Sequence, residues 1–372
     1  MALSTTDVLI VGGGPAGLAT AIAACRYGLS VIVVDAQSLP VDKACGEGIM
    51  PDGLDALSQL GDEVHTLGGH PFSGITFCDE KYIAKADFRE GSGLGVRRPR
   101  LHAFLARKAA ELGAQLLWNT PVRNLEGDEI SIGERRISAR WIVGADGHNS
   151  LVRRWMGIQP QTNSARVGLR RHYKIAPWST HVEVYWAQGI QAYVTPVGEE
   201  EICVAIITRR RDIRFDRGLR FFPGLAMRLA SAPHSSTDRG ALTLCRSLPQ
   251  VVYGRAALVG EASGAVDAIS GQGMMLAFRQ ALLLAEALSK GDLQIYQRGH
   301  ALISCRAQLM SRLMLHMSTH TQLRKVVLRC FQSAPALFRL ALSFHIDSLP
   351  PVLDRDRGHT TPALWKAEGI HK

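Results

Sequence analysis

Three glycines near the start of the chain, Gly12-x-Gly14-x-x-Gly17, stand in the spacing that lets a backbone turn approach a pyrophosphate closely. Glycine is needed there because a side chain would fill the space that the phosphates share with the main chain. A helix opening at such a turn directs its free N–H groups at the anion. Asp35 lies downstream, where a carboxylate can accept hydrogen bonds from ribose hydroxyls and repel a 2′-phosphate. The pattern calls for FAD or NAD in preference to NADP, and taken alone does not separate those two. Two later stretches do. In Gly144-Ala145-Asp146-Gly147 and in Gly260-Glu261, followed by Gly271-Gln272-Gly273, an acid beside glycine can hold a sugar or ribityl hydroxyl while backbone N–H groups approach an anionic ligand. A nicotinamide dehydrogenase has no use for the additional pair.

Such scattered residues need a frame that gathers them. The apolar run Asp7 to Val11, the glycine turn, a helical stretch from Leu18 to Tyr27 and the β-branched run Leu29 to Val34 read as one βαβ unit. Residues 48–68 read as helix and loop, and Phe72 to Phe88 alternates as half-buried strands do. Pro99 to Leu112 has helical spacing. Short strands are expected at Gln115 to Trp118, Val122 to Leu125, Ile130 to Ile132 and Arg136 to Ser138, leading to the apolar Trp141 to Gly144. Between Val167 and Arg209 the chain reads as antiparallel strands, at His181 to Trp186, Gln191 to Pro196 and Ile202 to Thr208 among them, which suits a separate sheet forming a floor or wall. Ala256 to Val259 reads as a buried strand and Gln272 to Leu288 as a helix. The rest reads helical, interrupted at Pro335 and at Pro350-Pro351. No repeat or low-complexity linker separates these pieces, so the two layers must be interleaved.

A chain of 372 residues, 46% hydrophobic and 20% charged, can bury the core of one large α/β domain and a smaller one. Its seven cysteines are odd in number and form no C-x-x-C pair, so neither a disulfide framework nor a dithiol centre is expected, and a reducing cytoplasm fits best. The start of the chain has no secretory pattern, and no window approaches about eighteen uninterrupted apolar residues. The net charge of +10 is partly local: residues 293–346 contain no Asp or Glu but carry Arg298, Arg306, Arg312, Arg324, Lys325, Arg329 and Arg339. That stretch is a candidate surface for a peripheral membrane contact or an acidic carrier protein, with a solvated helix face as the bland alternative. Nucleic acid is not expected, because no recognition pattern accompanies the charge.

At this point the residues resemble the flavoprotein superfamily that contains aromatic-ring hydroxylases of the para-hydroxybenzoate hydroxylase type, flavin halogenases and geranylgeranyl reductases. Four elements carry the resemblance, in the family's order over residues 5–290: the Gly12 to Gly17 fingerprint, Asp146-Gly147, the stretch around Gly260, and Gly271-x-Gly273 opening a helix. A fifth is Val96-Arg97-Arg98-Pro99-Arg100-Leu101, where the family often places an arginine near the flavin at a position matching Arg98. The resemblance implies an α/β fold, with a Rossmann-like FAD-binding domain of the GR2 flavoprotein type, an interleaved antiparallel substrate sheet and C-terminal helices. The implied division is 1–70, 98–160 and 245–290 for FAD, 71–97 and 161–244 for substrate, and 291–372 for the helices. It implies FAD as cofactor, NAD(P)H as a transient reductant, and Gly12, Gly14, Gly17, Asp35, Arg98, Val122, Asp146, Gly147, Gly260, Glu261, Gly271 and Gly273 as the residues that hold FAD. Two positions depart from the family's pattern: Glu261 stands where Asp is usual, and Ala268 where Pro is usual.

Within that superfamily, Lys43-Ala44-Cys45-Gly46-Glu47-Gly48 looks more like the geranylgeranyl-reductase loop than the hydroxylase one. That would put Cys45 near the isoalloxazine edge, a buried structural thiol being the alternative. The strand around Tyr193 and Pro196 resembles the family's substrate sheet, so both are candidates for the pocket, ordinary sheet packing being the alternative. The halogenases' W-x-W-x-I-P motif is absent. His316 and His320 lie one helical turn apart without an acidic third ligand near in sequence, so no metal is expected. Asp267 could polarise a water or cap a helix. Reduction of an apolar or aromatic small molecule and its hydroxylation both remain open, as does a flavin-binding or membrane-docking protein without turnover.

Overall fold

The computed structural model describes residues 3–125, 129–132, 135–158 and 165–346. Five parallel strands form the core of its first, eight-stranded sheet: β1 (Leu3–Val11), β2 (Val31–Val34), β3 (Gln115–Leu117), β4 (Arg135–Gly144) and β5 (Ala256–Leu258), side by side in the order β5-β4-β1-β2-β3. The two runs expected at Arg136 to Ser138 and Trp141 to Gly144 are one strand, β4, because its first half pairs with Glu129–Ile132 and its second half with β5. The parallel strands are apolar without alternation, Val8 to Ile10 and Ala256 to Leu258 being fully buried, because both faces of the sheet are covered. Helix α1 (Pro15–Arg26) packs against α2 (Arg98–Glu111) and α3 (Gly273–Lys290).

The second sheet has seven strands in the order Arg239–Leu244, Ala165–Tyr173, Glu201–Thr208, Ile190–Gly198, His181–Ala187, Gly74–Cys78 and Ile83–Asp87. It is antiparallel except where His181–Ala187 runs parallel to Gly74–Cys78, a pairing between segments far apart in sequence. Side chains alternate between its faces. Ile190, Ala192 and Val194 pack with Phe215 and Leu225 of two short helices on one face, while Val182, Val184 and Trp186 turn to the other. Tyr193 lies opposite Val184 in register and shares its face.

The C-terminal part forms three helices, α4 (Leu293–Thr319), α5 (Thr321–Ser333) and α6 (Pro335–Ile346). The break expected at Pro335 is present, and a further one falls at His320, which no proline or glycine marks. Pro350-Pro351 lies outside the described residues. Met314, Met317, Leu328, Phe338 and Leu342 turn inward against the Val184 face of the second sheet. No helix of the described residues is long and apolar enough to cross a membrane.

Candidate functional site

A cavity of about 1430 Å³ lies between the two sheets and the C-terminal helices. One end is walled by the loops after β1, β2 and β4, at Gly12, Asp35 and Asp146, the side on which open parallel sheets bind ligands. The other end is walled by Phe77, Val184, Met314, Met317, Phe338 and Leu342.

The three fingerprint glycines do different work. A Cβ at Gly17 would overlap the carbonyl oxygen of Gly12, and one at Gly12, whose φ is +109°, would overlap the backbone of Ala145. Both are demanded by the turn itself. Gly14 has an ordinary φ of −71° and nothing within 4 Å of its Cβ position, yet it lines the cavity. Its missing side chain is space left for a ligand at the start of α1.

Asp35 accepts from the Gly13 and Gln37 N–H groups at 2.7 and 2.8 Å. Asp146 spends one oxygen on the Leu151 and Val152 N–H groups, at 2.6 and 3.2 Å, while its other oxygen is buried without a partner. Arg98 opens α2 and also lines the cavity, its Nε buried without a partner. A buried acceptor and a buried donor left unmatched cost about 1–3 kcal/mol each, so both call for a polar group that protein atoms do not supply. Together with the open cradle at Gly14, this donor set fits a dinucleotide. Val122, Gly147, Gly260, Glu261, Gly271 and Gly273 line the same cavity.

Both departures from the family's pattern have a local cause. The extra methylene of Glu261 lets its carboxylate meet the Lys43 ammonium at 2.8 Å, joining the glycine turn to the Cys45 loop. Desolvation pushes the Glu261 carboxyl up, but Lys43 outweighs it and holds the group below the ordinary carboxylate range. Ala268 donates its N–H to Thr243 Oγ1 at 2.9 Å, a bond that proline could not make.

Among the remaining candidates, Cys45 lines the cavity and its sulfur accepts from the Glu47 N–H at 3.4 Å. Tyr193 also lines it, with its hydroxyl donating to Ile269 O at 2.8 Å and burial pushing the phenol up. Pro196 is not brought to the cavity wall. Three positions after Tyr193, it has the opposite parity in the strand and faces Trp178, Val194 and Ile202. Asp267 is fully buried, caps a short 3-10 turn through the Ile269 N–H and pairs with Arg166 at 2.9 Å, which makes it structural. The rings of His316 and His320 are 3.9 Å apart, and both residues are exposed.

Two features escaped the sequence reading. The first is the interior anchor of the Cys45 loop. Glu47 is buried at φ +59°, accepts from the Arg98 N–H at 2.9 Å and meets His172 Nε2 at 2.6 Å. Arg170 can only donate, so His172 Nδ1, 3.0 Å from it, accepts, and the ring proton sits on Nε2 for Glu47. Cys203 completes a trio of possible metal donors within 4.8 Å of one another. Burial pushes its thiol well up, and Arg97 and Arg170 flank the carboxylate and imidazole, so the trio reads as a packed anchor. The place of Glu47 between Gly46 and Gly48 was the local signal in the sequence.

The second is His345 of α6, which lines the cavity beside the Gly271 turn and donates from Nε2 to Ser270 O at 2.9 Å. Burial lowers it to about 4, as it does His300. Between pH 6.5 and 4 the unfolded chain binds a proton at each of these histidines that the native state refuses. Stability is therefore fully present above that window and falls as the pH falls through it. The urea midpoint should drop on acidification, and His345→Gln should flatten the dependence by up to ~1.4 kcal/mol per pH unit, one proton's share. An unchanged slope in the variant would exclude His345 as a source.

The family described as FAD binding domain matches residues 5–218. Menaquinone reductase of Mycobacterium tuberculosis is 27% identical over 319 residues, covering 78% of this chain and 78% of its own. Digeranylgeranylglycerophospholipid reductase 1 of Methanothermobacter thermautotrophicus is 23% identical over 82% of this chain and 84% of its own. A flavoprotein/dehydrogenase from Cytophaga hutchinsonii shares the fold with a TM-score of 0.79, at 21% identity over 91% of this chain and 92% of that one.

Proposed function

Since the chain belongs to the FAD binding domain family and is an FAD-dependent oxidoreductase, we propose that it reduces a carbon–carbon double bond in a hydrophobic, isoprenoid-type small molecule. The observation that carries this reading is the apolar compartment continuous with the dinucleotide end. Its walls from α4, α5 and α6 hold Met, Leu, Val and Phe with two histidines and no Asp, Glu, Lys or Arg. Such a wall suits a hydrocarbon chain and offers no charge to orient a polar ring. Two relatives named as reductases, of menaquinone and of digeranylgeranylglycerophospholipid, support the same class.

In this reading residues 1–70, 98–160 and 245–290 hold FAD, 71–97 and 161–244 supply the substrate wall, and α4 to α6, the described part of 291–372, close it. FAD held there would supply hydride chemistry for the alkene, with NAD(P)H as its transient reductant. The chain's own residues bind, orient and supply the proton. Gly14 and the N-terminus of α1 would receive the pyrophosphate, and Asp35 and Asp146 would hold sugar hydroxyls. His345 is neutral at pH 7 with its N–H committed to Ser270, so it orients and does not protonate. Of the two wall residues singled out from the sequence, the Tyr193 hydroxyl is committed to Ile269 O in the same way, whereas the Cys45 sulfur only accepts, from the Glu47 N–H, and keeps its proton for transfer.

The experiment is anaerobic reduction with NADPH followed by a prenyl substrate or air. Alkene-dependent reoxidation with a saturated product is expected. Oxygen-dependent hydroxylation of an aromatic ring, with no alkene turnover, would overturn the reading in favour of a monooxygenase. Cys45→Ser should lower turnover by about a hundredfold or more without changing flavin content, the share of a general acid; unchanged kinetics would return Cys45 to packing.

A further inference from the structure

The C-terminal helices carry large apolar side chains on their outer surface as well as their inner one. Leu313, Leu323, Leu337, Leu340 and Phe344 are between 39% and 68% exposed, and all five also line the cavity. The outer face therefore runs without a break into the apolar compartment. Leu302, Leu309 and Val326 extend it outward. Contiguous apolar surface of this kind on a monomer marks an interaction site.

The charge that these helices themselves carry has one sign. Arg298, Arg312, Arg329 and Arg339 are exposed, and residues 293–346 hold no acid. Arg324, counted with this surface from sequence, is buried instead and takes its opposite charge from Asp79 and Glu80 of the second sheet's edge turn. The exposed arginines thus stand beside exposed leucines on three adjoining helices.

We propose that this face of α4, α5 and α6 docks on an anionic lipid bilayer, and that the hydrophobic substrate passes from the acyl layer between these helices into the cavity. The docking surface stands on exposure and charge; only the identity of what passes rests on the reading given above. Apolar side chains sunk among acyl chains and arginines at the headgroups satisfy both features at once. A second copy of the chain would satisfy only the first, because a two-fold interface lays the same patch on itself and brings arginines against arginines.

The test is sedimentation of the full-length, flavin-loaded protein with vesicles of phosphatidylglycerol and phosphatidylcholine, and with phosphatidylcholine alone. Binding to the anionic vesicles that weakens with salt is expected. The triple variant Arg312→Glu, Arg329→Glu, Arg339→Glu, and separately Val326→Glu, should each weaken it by about tenfold or more at unchanged flavin content. None of these four residues lines the cavity. Absence of binding to anionic vesicles, equal binding to phosphatidylcholine alone, or capture only by an acidic protein would each overturn the proposal. So would a dimer in solution that the same variants dissociate. Turnover of a short, soluble prenyl alcohol on the same samples separates the two ideas: docking without turnover sinks the reductase reading, and turnover without docking sinks this one.

Discussion

Gly14→Val should fold normally and emerge colourless. The position has an ordinary φ and an empty Cβ environment within the protein, so valine meets no protein atom at its first carbon. It does meet the volume in which a pyrophosphate must approach the first turn of α1. FAD affinity should fall by about a hundredfold or more, which corresponds to about 2.7 kcal/mol or more. Far-UV circular dichroism and the urea midpoint of the flavin-free protein should stay at the wild-type values. Flavin content equal to wild type would refute this placement of the dinucleotide. Gly17→Ala is the informative contrast. Its Cβ would strike the Gly12 carbonyl, so that variant should lose stability before it loses cofactor.

Glu47→Ala should destabilise the flavin-free protein by about 3 kcal/mol, because charged hydrogen bonds contribute about 1.5–3 kcal/mol each and two are lost in the interior. His172 Nε2 and the Arg98 N–H would be left without their acceptor, at a position where the side chains of Glu47 and His172 are both fully buried. The loop from Lys43 to Gly48 would be released at the same time, so flavin retention should weaken as well. Glu47→Gln keeps an acceptor oxygen and should cost roughly half as much. Urea titration decides it: an Ala variant within about 0.5 kcal/mol of wild type, the range of ordinary surface changes, would show that the anchor holds nothing.

The two predictions differ in how much of their basis could be read from the chain. The Gly12 to Gly17 turn, Asp35 and Asp146 were legible because strand, turn and helix follow one another locally, and the residue types state the ligand chemistry. Apolar runs without alternation announced the parallel sheet, and period-two runs announced the second one. The Glu47 anchor was not legible, because its partners, His172 and Cys203, come from distant strands that meet the loop only after the second sheet has assembled.

Amino-acid order by itself therefore determined the nucleotide end of the site, the two-layer α/β architecture and the absence of acids from the last helices. Tertiary structure decided which face of each element meets the ligand. Tyr193 and Pro196 illustrate it: a three-residue spacing in a strand places them on opposite faces, but only the packing of α4 to α6 made the Tyr193 face the cavity. Arg324 turned inward and His345 reached the Gly271 turn for the same reason, since α5 and α6 pack against the edge strand Ile83–Asp87 of the second sheet. Spacing sets which side chains share a surface, whereas long-range burial chooses what that surface faces.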